Sequence, residues 1–397
     1  MNHSRAEHRL LLSAARRELC DEQHALMRRL LRQEIDFDYL FTIAQTHGLL
    51  PLLQKHLATA ASDLLPGHFL SRLKLQSVAN SQNVLHLAGR FLHLCKLFEE
   101  NGVPVAILKG ALLSQMAYGE IAMRTAGDID VLIRPQDFVR ARALLESLGY
   151  EMNPKLTPRS LASHLGHHCE LQFMRDEWFT IVDLHWALAP GSFVFKMETD
   201  EVMSRLQSVE IAGAQLKTLA TEDLVVYLSM HGAKHLWRRL EWIASLGEVI
   251  RAAESIAWDI VVERAAKAHA TRMLALGLRL AESVSGVDVP AEVWRAVDRD
   301  ESSKRMAQQT LVGIFNTSDA PVSSETNLYN LKVMDRKRDA LISALRSIFV
   351  PTLSDWHALS LPPSLHSLYY AYRPLRLSKA YSSALWRKLG SRGAACL

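Results

Sequence analysis

An α+β fold, a small mixed β-sheet core flanked by N-terminal and C-terminal helical regions, is predicted by three features of the 397-residue sequence. Helical periodicity fills the chain up to about Phe98. Short β-branched runs bounded by turn residues follow, and from Thr221 the helical pattern returns. These changes divide the chain into a helical region (1–98), an α/β core (99–218) and a C-terminal helical domain with a basic tail (219–397).

In FDYLFTIAQTHGLLPLLQKHL, Phe37 to Leu57, apolar residues recur three and four apart, and Gly48 separates two helical runs. A second helical stretch covers Phe69 to Glu100. At Val103 the pattern changes to VPVAIL, a short strand, followed by a Lys109-Gly110 turn and the helical ALLSQMAY. DIDVLI reads as the next strand, ended by Arg134-Pro135. In QDFVRARALLESLGY, Leu144, Leu145 and Leu148 share one side of an amphipathic helix that Gly149 stops. HHCELQFMR and FTIVDLHWAL form an antiparallel hairpin through Asp176-Glu177-Trp178, and SVEIAG with AQLKTL form another around Gly213. Thr221 is an expected N-cap, with Glu222 and Asp223 in the first turn where carboxylates suit the helix dipole.

Composition narrows the class. With 49% hydrophobic and 22% charged residues, the chain is ordinary globular protein, neither low-complexity nor disordered. Four scattered cysteines without a C-x-x-C pair argue against a zinc ribbon, a thioredoxin-type site or a disulfide framework, and suggest a reducing compartment. The N-terminus lacks the apolar core of a secretion signal, and no stretch has the ~18 apolar residues of a membrane span, so a cytoplasmic location is expected. The net charge of +4 is uneven. Arg373, Arg376, Lys379, Arg387, Lys388 and Arg392 follow the last acidic residue, Asp355, and the rest of the chain is near neutral. That balance argues against nucleic acid as the partner.

The sharpest local feature is Gly127-Asp128-Ile129-Asp130-Val131-Leu132-Ile133. In a strand, residues two apart share a face, so Asp128 and Asp130 project together while Ile129, Val131 and Ile133 enter the core. Paired carboxylates repel unless a cation lies between them. Mg²⁺ is held through carboxylates together with substrate phosphates, so the pair points to metal-dependent phosphoryl or nucleotidyl transfer. Asp183, in IVDLHW, is the candidate third carboxylate on another strand. A D-x-D alone is often only a solvated pair or turn cap. The strand-turn-helix before it and the single aspartate after it raise its significance.

LKGALLSQMAY, MRTAGDIDVLI and IVDLHW resemble the motifs of an uncharacterised nucleotidyltransferase family within the polymerase-β-like nucleotidyltransferase superfamily. AQTHGLLPLLQKHL, TEDLVVYLSMHGAKHLWRRLEWI and YYAYRPLRL extend the likeness from about Phe37 to Lys388. The resemblance implies a small mixed sheet whose three carboxylates hold two Mg²⁺ ions, with Mn²⁺ as a possible substitute, for in-line attack of an acceptor hydroxyl on the α-phosphorus of an NTP. Asp128 and Asp130 match the paired carboxylates and Asp183 the third. Lys109 and Gly110 stand where other members carry a Gly-Ser turn, and the spacing from turn to D-x-D is longer here. The substitution is physically tolerable: Gly110 permits a tight turn, backbone N–H groups at the next helix can bind phosphate, and Lys109 adds charge.

Arg124, four residues before Asp128, either reaches the same phosphates or is a solvated loop residue; Ser114 is structural. His164, His167, His168 and Cys169 fit no standard zinc spacing and read as part of a hairpin strand, whereas His185 lines the cleft beside Asp183, orienting metal, phosphate or acceptor. His231 and His235 share a helix face, and Gly232 rules out an H-E-x-x-H site. With Lys234, Trp237, Arg238 and Arg239 they form a base- or phosphate-contacting wall, or else Trp237 and Trp242 are core residues with the histidines as neighbours. The tail from Tyr369 to Arg392 either packs back on the body or meets an anionic partner.

The expected activity is therefore transfer of a nucleoside monophosphate from an NTP donor to an unidentified hydroxyl or phosphate acceptor, on a small molecule, natural product, sugar or peptide. A catalytically silent scaffold in a biosynthetic or toxin–antitoxin system is the alternative. The oligomeric state cannot be read from the sequence.

Overall fold

A computed structural model describes residues 5–175, 180–298, 301–316, 329–359 and 361–379. The N-terminal region forms α1 (Ala6–Ala14), α2 (Asp21–Leu31), α3 (Phe37–Thr46), α4 (Leu50–Ala60) and α5 (Gly67–Glu100). Asp36 caps α3 by accepting from the Tyr39 amide at 2.9 Å, and Gly48, at φ +69°, makes the break before α4. The apolar stripe of α5 runs through Phe69, Leu73, Val84, Leu87, Phe91, Leu94 and Phe98.

The central region contributes β1 (Val105–Ile107), α6 (Gly110–Tyr118), β2 (Ile129–Ile133), α7 (Phe138–Ser147), β3 (Glu151–Asn153), α8 (Pro158–His167), β4 (Glu170–Arg175), β5 (Thr180–His185), α9 (Thr199–Met203), β6 (Gln207–Ile211) and β7 (Ala214–Thr218). The strands form one mixed sheet in the order β3-β4-β5-β2-β1-β7-β6. β2 and β5 are parallel, as are β1 and β7, and the remaining neighbours are antiparallel. Both expected hairpins pair as anticipated; the Asp176-Glu177-Trp178 connection lies outside the described residues.

Two expectations are corrected. The segment holding His164 and His167 is the helix α8, because Thr157 caps it by accepting from the Ser160 amide at 3.2 Å and Pro158 occupies its first turn; the strand begins only at Glu170. Thr221 is the first helical residue rather than the N-cap: Ala220 takes that position, and the Thr221 hydroxyl lies 3.4 Å from Gln207 Oε1.

The C-terminal region supplies α10 (Thr221–Lys234), α11 (Leu240–Ala252), α12 (Trp258–Lys267), α13 (Thr271–Ser285), α14 (Ala291–Val297) and α15 (Ser302–Gly313), with Lys337–Phe349 and Leu353–Ala358 beyond. The start of the basic tail packs back on the body: Tyr369 is buried and stacks on Trp356, while Arg373 and Arg376 reach the buried Asp355 at 2.7 and 2.5 Å. Residues 380–397 lie outside the described set. Among the described residues, no helix is long and apolar enough to cross a membrane.

The sheet separates two cores. Val105, Ile107, Ile129, Val131 and Ile133 face one side, packing with Phe173, Val182 and Leu184 against α5 and α7. Ala106 and Leu132 face the other, joining a larger core built from α1 to α4 and from α10 to α15. Asp130 is two residues before Leu132 in β2 and shares its side of the sheet, so it stands on the face that the C-terminal helices cover.

Candidate active site

Strand register brings the first polar groups together. β2 and β5 set Asp130 beside Asp183 and Leu132 beside His185; β4 sets Gln172 against Asp183 and Glu170 against His185. Paired residues share a face, so Asp130, Asp183, His185, Glu170 and Gln172 form a polar patch on the sheet. Asp128 lies in the bend just before β2. The turn from β1 to α6 delivers Lys109, and Gly110 at φ +66° runs past the backbone oxygen of Asp128, to which an added Cβ would approach within 4.0 Å.

Above this patch is a cavity of about 530 Å³. Asp128, Asp130, Asp183, Lys109, Gly110, Arg124, His185, His231 and His235 all border it, whereas Arg238 of the expected wall does not. Lys234, Arg239 and Trp242 border it too, whereas Trp237 is fully buried core. Sequence reasoning missed Glu170, Tyr227 and Glu241. For Glu170 a signal existed: along β4, Glu170 and Gln172 alternate with the buried Leu171 and Phe173, and hairpin pairing aims them at His185 and Asp183. Ser114 is structural, its hydroxyl donating to the Glu120 carbonyl at 2.7 Å.

The electrostatics centre on Asp130, which is 4% exposed. Its Oδ1 accepts from Lys109 Nζ at 3.0 Å and from His185 Nε2 at 3.1 Å. Burial alone would raise its pKa, but Lys109 and then His185 overcome this and hold the carboxyl well below the usual range. The same contacts act on the partners. Burial disfavours a charged His185, yet its bonds to Asp130 and Cys169 and the nearby Glu170 carboxylate raise it to about 10. Its Nδ1 lies 3.1 Å from Glu170 Oε2, so the imidazolium donates on both sides. Asp128 is pushed up by burial and by the Asp130 charge, with Lys109 opposing. Asp183 is raised by burial, against a 3.1 Å hydrogen bond from Gln172 Nε2. Carboxylates driven toward protonation by burial and mutual repulsion would be relieved by a cation.

Arg124 adds positive charge of a different kind. It is buried, 7% exposed, with Nε bonded to nothing and no ion pair among the described residues. Asn80 of α5 holds its loop by donating to the carbonyls of Ala122 and Arg124 at 3.0 and 3.2 Å. The solvated-loop reading is thus set aside.

The opposite wall comes from α10 and the start of α11. The Trp242 ring lies 5.5 Å from His231 and 5.3 Å from His235, centroid to centroid. Burial, then Lys109, holds His231 well below its ordinary pKa; burial, then Lys234, lowers His235 to about 3, so both rings are neutral at pH 7. Glu241 pairs with Arg239 at 3.1 Å and accepts from Thr125 Oγ1 at 3.3 Å. It rests on Gly48, where a Cβ would lie 1.9 Å from Glu241 Oε2.

A Cβ on Gly232 would stand 2.4 Å from the Trp237 ring, so Gly232→Ala lowers the unfolding free energy by about 1–3 kcal/mol, read from urea melts; an unchanged midpoint would refute the close packing. Acidification also destabilises the protein. His47 is lowered to about 4 and His168 to about 4, both mainly by burial, and His231 and His235 are lowered as above. A histidine depressed in the folded state contributes stability that is intact above the unfolded value near 6.5 and is lost as pH falls from there toward 3–4. The raised Asp128 and Asp183 act in the opposite sense, but four depressed rings outweigh them, so the melting temperature drops between pH 7 and 4.5; a flat profile in an Asp128→Asn/Asp183→Asn background would contradict the burial of these rings.

Two aspartates on neighbouring strands of a mixed sheet, a third in the bend before β2 and a cation-lined cavity above them make up the site. Residues 33–286 match the model of the uncharacterised nucleotidyltransferase family, and the chain belongs to that family. Among solved structures, it is similar to the antibiotic-resistance factor ANT(2'')-Ia in solution, at 17% identity and a TM-score of 0.31, over 47% of this chain and 91% of that one. No curated protein sequence matches it.

Proposed function

We propose that the protein is a Mg²⁺-dependent nucleotidyltransferase that moves a nucleoside monophosphate from an NTP to an acceptor hydroxyl or phosphate. One observation carries the reading: Asp128, Asp130 and Asp183 share a single cavity with Lys109 and with the buried Arg124, which has no ion pair among the described residues. The donor set is all oxygen and adjoins phosphate-binding cations, which suits Mg²⁺. When bound, magnesium supplies charge stabilisation at the α-phosphorus and lowers the pKa of the acceptor hydroxyl.

The chain's own residues do the rest. Asp128 and Asp130 would hold the metal, and Asp183 would help hold it and take the acceptor proton. The Lys109 ammonium pairs with Asp130 here, and with a metal held by the aspartates it would be available to the triphosphate. Arg124 binds phosphate oxygens, and amide groups at the start of α6 add to the grip. His185 keeps Asp130 oriented through Nε2. His231, His235 and Trp242 offer neutral planar surfaces to the nucleoside or acceptor.

Calorimetric titration of the four NTPs with Mg²⁺ tests this. The wild type binds one NTP in a metal-dependent manner, and the Asp128→Asn/Asp130→Asn double mutant binds it at least about tenfold more weakly. A folded protein that binds no NTP at millimolar Mg²⁺ would overturn the assignment.

A further inference from the structure

A second cluster of ligating atoms adjoins the aspartates. Cys169, Glu170 and His185 each offer an atom within 4.8 Å of the others, where β4 begins and β5 ends. Glu170 Oε2 lies 3.6 Å from Cys169 Sγ and 3.1 Å from His185 Nδ1. A tetrahedral zinc ion with Zn–S of about 2.3 Å and Zn–N or Zn–O of about 2.0 Å separates its ligands by about 3.5 Å (S to O) and about 3.3 Å (N to O). The cluster already has nearly those edges.

Its supports are also in place. The amides of Trp186 and Ala187 donate to the Cys169 carbonyl at 2.9 and 3.3 Å, tying this cysteine to the end of β5. His185 Nε2 donates to Asp130 and so orients Nδ1 toward the cluster, the carboxylate–histidine arrangement that commonly backs a zinc ligand; the ion would take the place of the Nδ1 proton now shared with Glu170 and of the Cys169 thiol proton, both released to water. Cys169 and His185 are 3% and 4% exposed, while the half-exposed Glu170 opens onto the cavity and leaves a way in. The neighbouring histidines are engaged elsewhere: His164 contacts the Glu170 carbonyl at 2.9 Å and His167 the Tyr370 hydroxyl at 2.9 Å.

We propose that Cys169 Sγ, the Glu170 carboxylate and His185 Nδ1 form a site for one thiophilic divalent ion of the zinc class, adjoining the aspartate set but distinct from it. A sulfur and an imidazole nitrogen select zinc or cobalt over magnesium. The fourth position is open to the cavity, to water or to a substrate atom. The site does not depend on nucleotidyl transfer, so either reading can fail without the other.

The test uses the full chain stripped with a chelator and titrated with Co²⁺ and then Zn²⁺. One equivalent of Co²⁺ gives intense tetrahedral bands and a thiolate-to-cobalt charge-transfer band, displaced by Zn²⁺ and unaffected by excess Mg²⁺. Cys169→Ser, or Cys169→Ala if the first does not fold by circular dichroism, loses the charge-transfer band and weakens Zn²⁺ binding by about 10–100-fold; Glu170→Gln weakens it by about tenfold. Asp128→Asn leaves the spectrum intact. The proposal is overturned if folded wild type shows no charge-transfer band, or if Co²⁺ binding survives loss of Cys169 but not of Asp128.

Discussion

Asp130→Asn lowers nucleotidyl transfer by about 10³-fold or more while leaving the protein folded. Asp130 is the charged hub of the cavity: buried, bonded through one oxygen to Lys109 and His185, and level with Asp183 in the sheet. Asparagine keeps the shape and one acceptor oxygen, so β2 still forms and both donors still find a partner. It removes the negative charge, and with it the group that balances two cations and would hold metal beneath the triphosphate. The loss thus falls on turnover far more than on the fold. Pyrophosphate release from an NTP measures it, with circular dichroism as the control for folding. A variant that retained turnover within tenfold of wild type would take Asp130 out of the chemistry.

Trp237→Ala has the largest expected effect on stability, a loss of about 3–5 kcal/mol in chemical unfolding. Trp237 is fully buried, its ring lies against Gly232, and its amide donates to the Gly232 carbonyl at 2.8 Å. Leu236 and Trp237 both have positive φ, 59° and 50°, so the turn between α10 and α11 adopts a backbone that side chains resist. The indole's packing offsets that strain. Removing it leaves a cavity and frees the turn between His235 and Arg239, so NTP affinity falls along with stability. A cost below about 1 kcal/mol would show that the turn holds itself.

The aspartates were legible in the sequence because their signal is local. D-x-D at the mouth of a β-branched run and a lone aspartate in a second run each need only strand periodicity. The helices around them were legible for the same reason. The helix that holds His164 and His167 is hard to see in the sequence because its start signal, Thr157-Pro158, lies several residues upstream while a β-hairpin pattern follows directly. Glu170 required the register of a hairpin, and register is a property of two strands together. Arg124 required more: its burial depends on Asn80, a residue 44 positions away on α5 that holds the loop. Lys234, Arg239 and Trp242 meet the sheet only because α10 and α11 fold over it, a tertiary event without a local motif.

The division of the sheet between two cores bears on how the protein could be cut or recombined. The face that carries the aspartates is sealed by a core that runs from Leu10 near the N-terminus to Met334, and the cavity wall is pinned to His47 and Gly48 by Glu241. The reactive surface and its cover are therefore not modular. A fragment holding only the seven strands would leave Ala106, Leu132 and the carboxylates facing water, without the cations and rings that complete the site. Exchange of the C-terminal helices for those of a relative would have to carry the first fifty or so residues with them to preserve the fit.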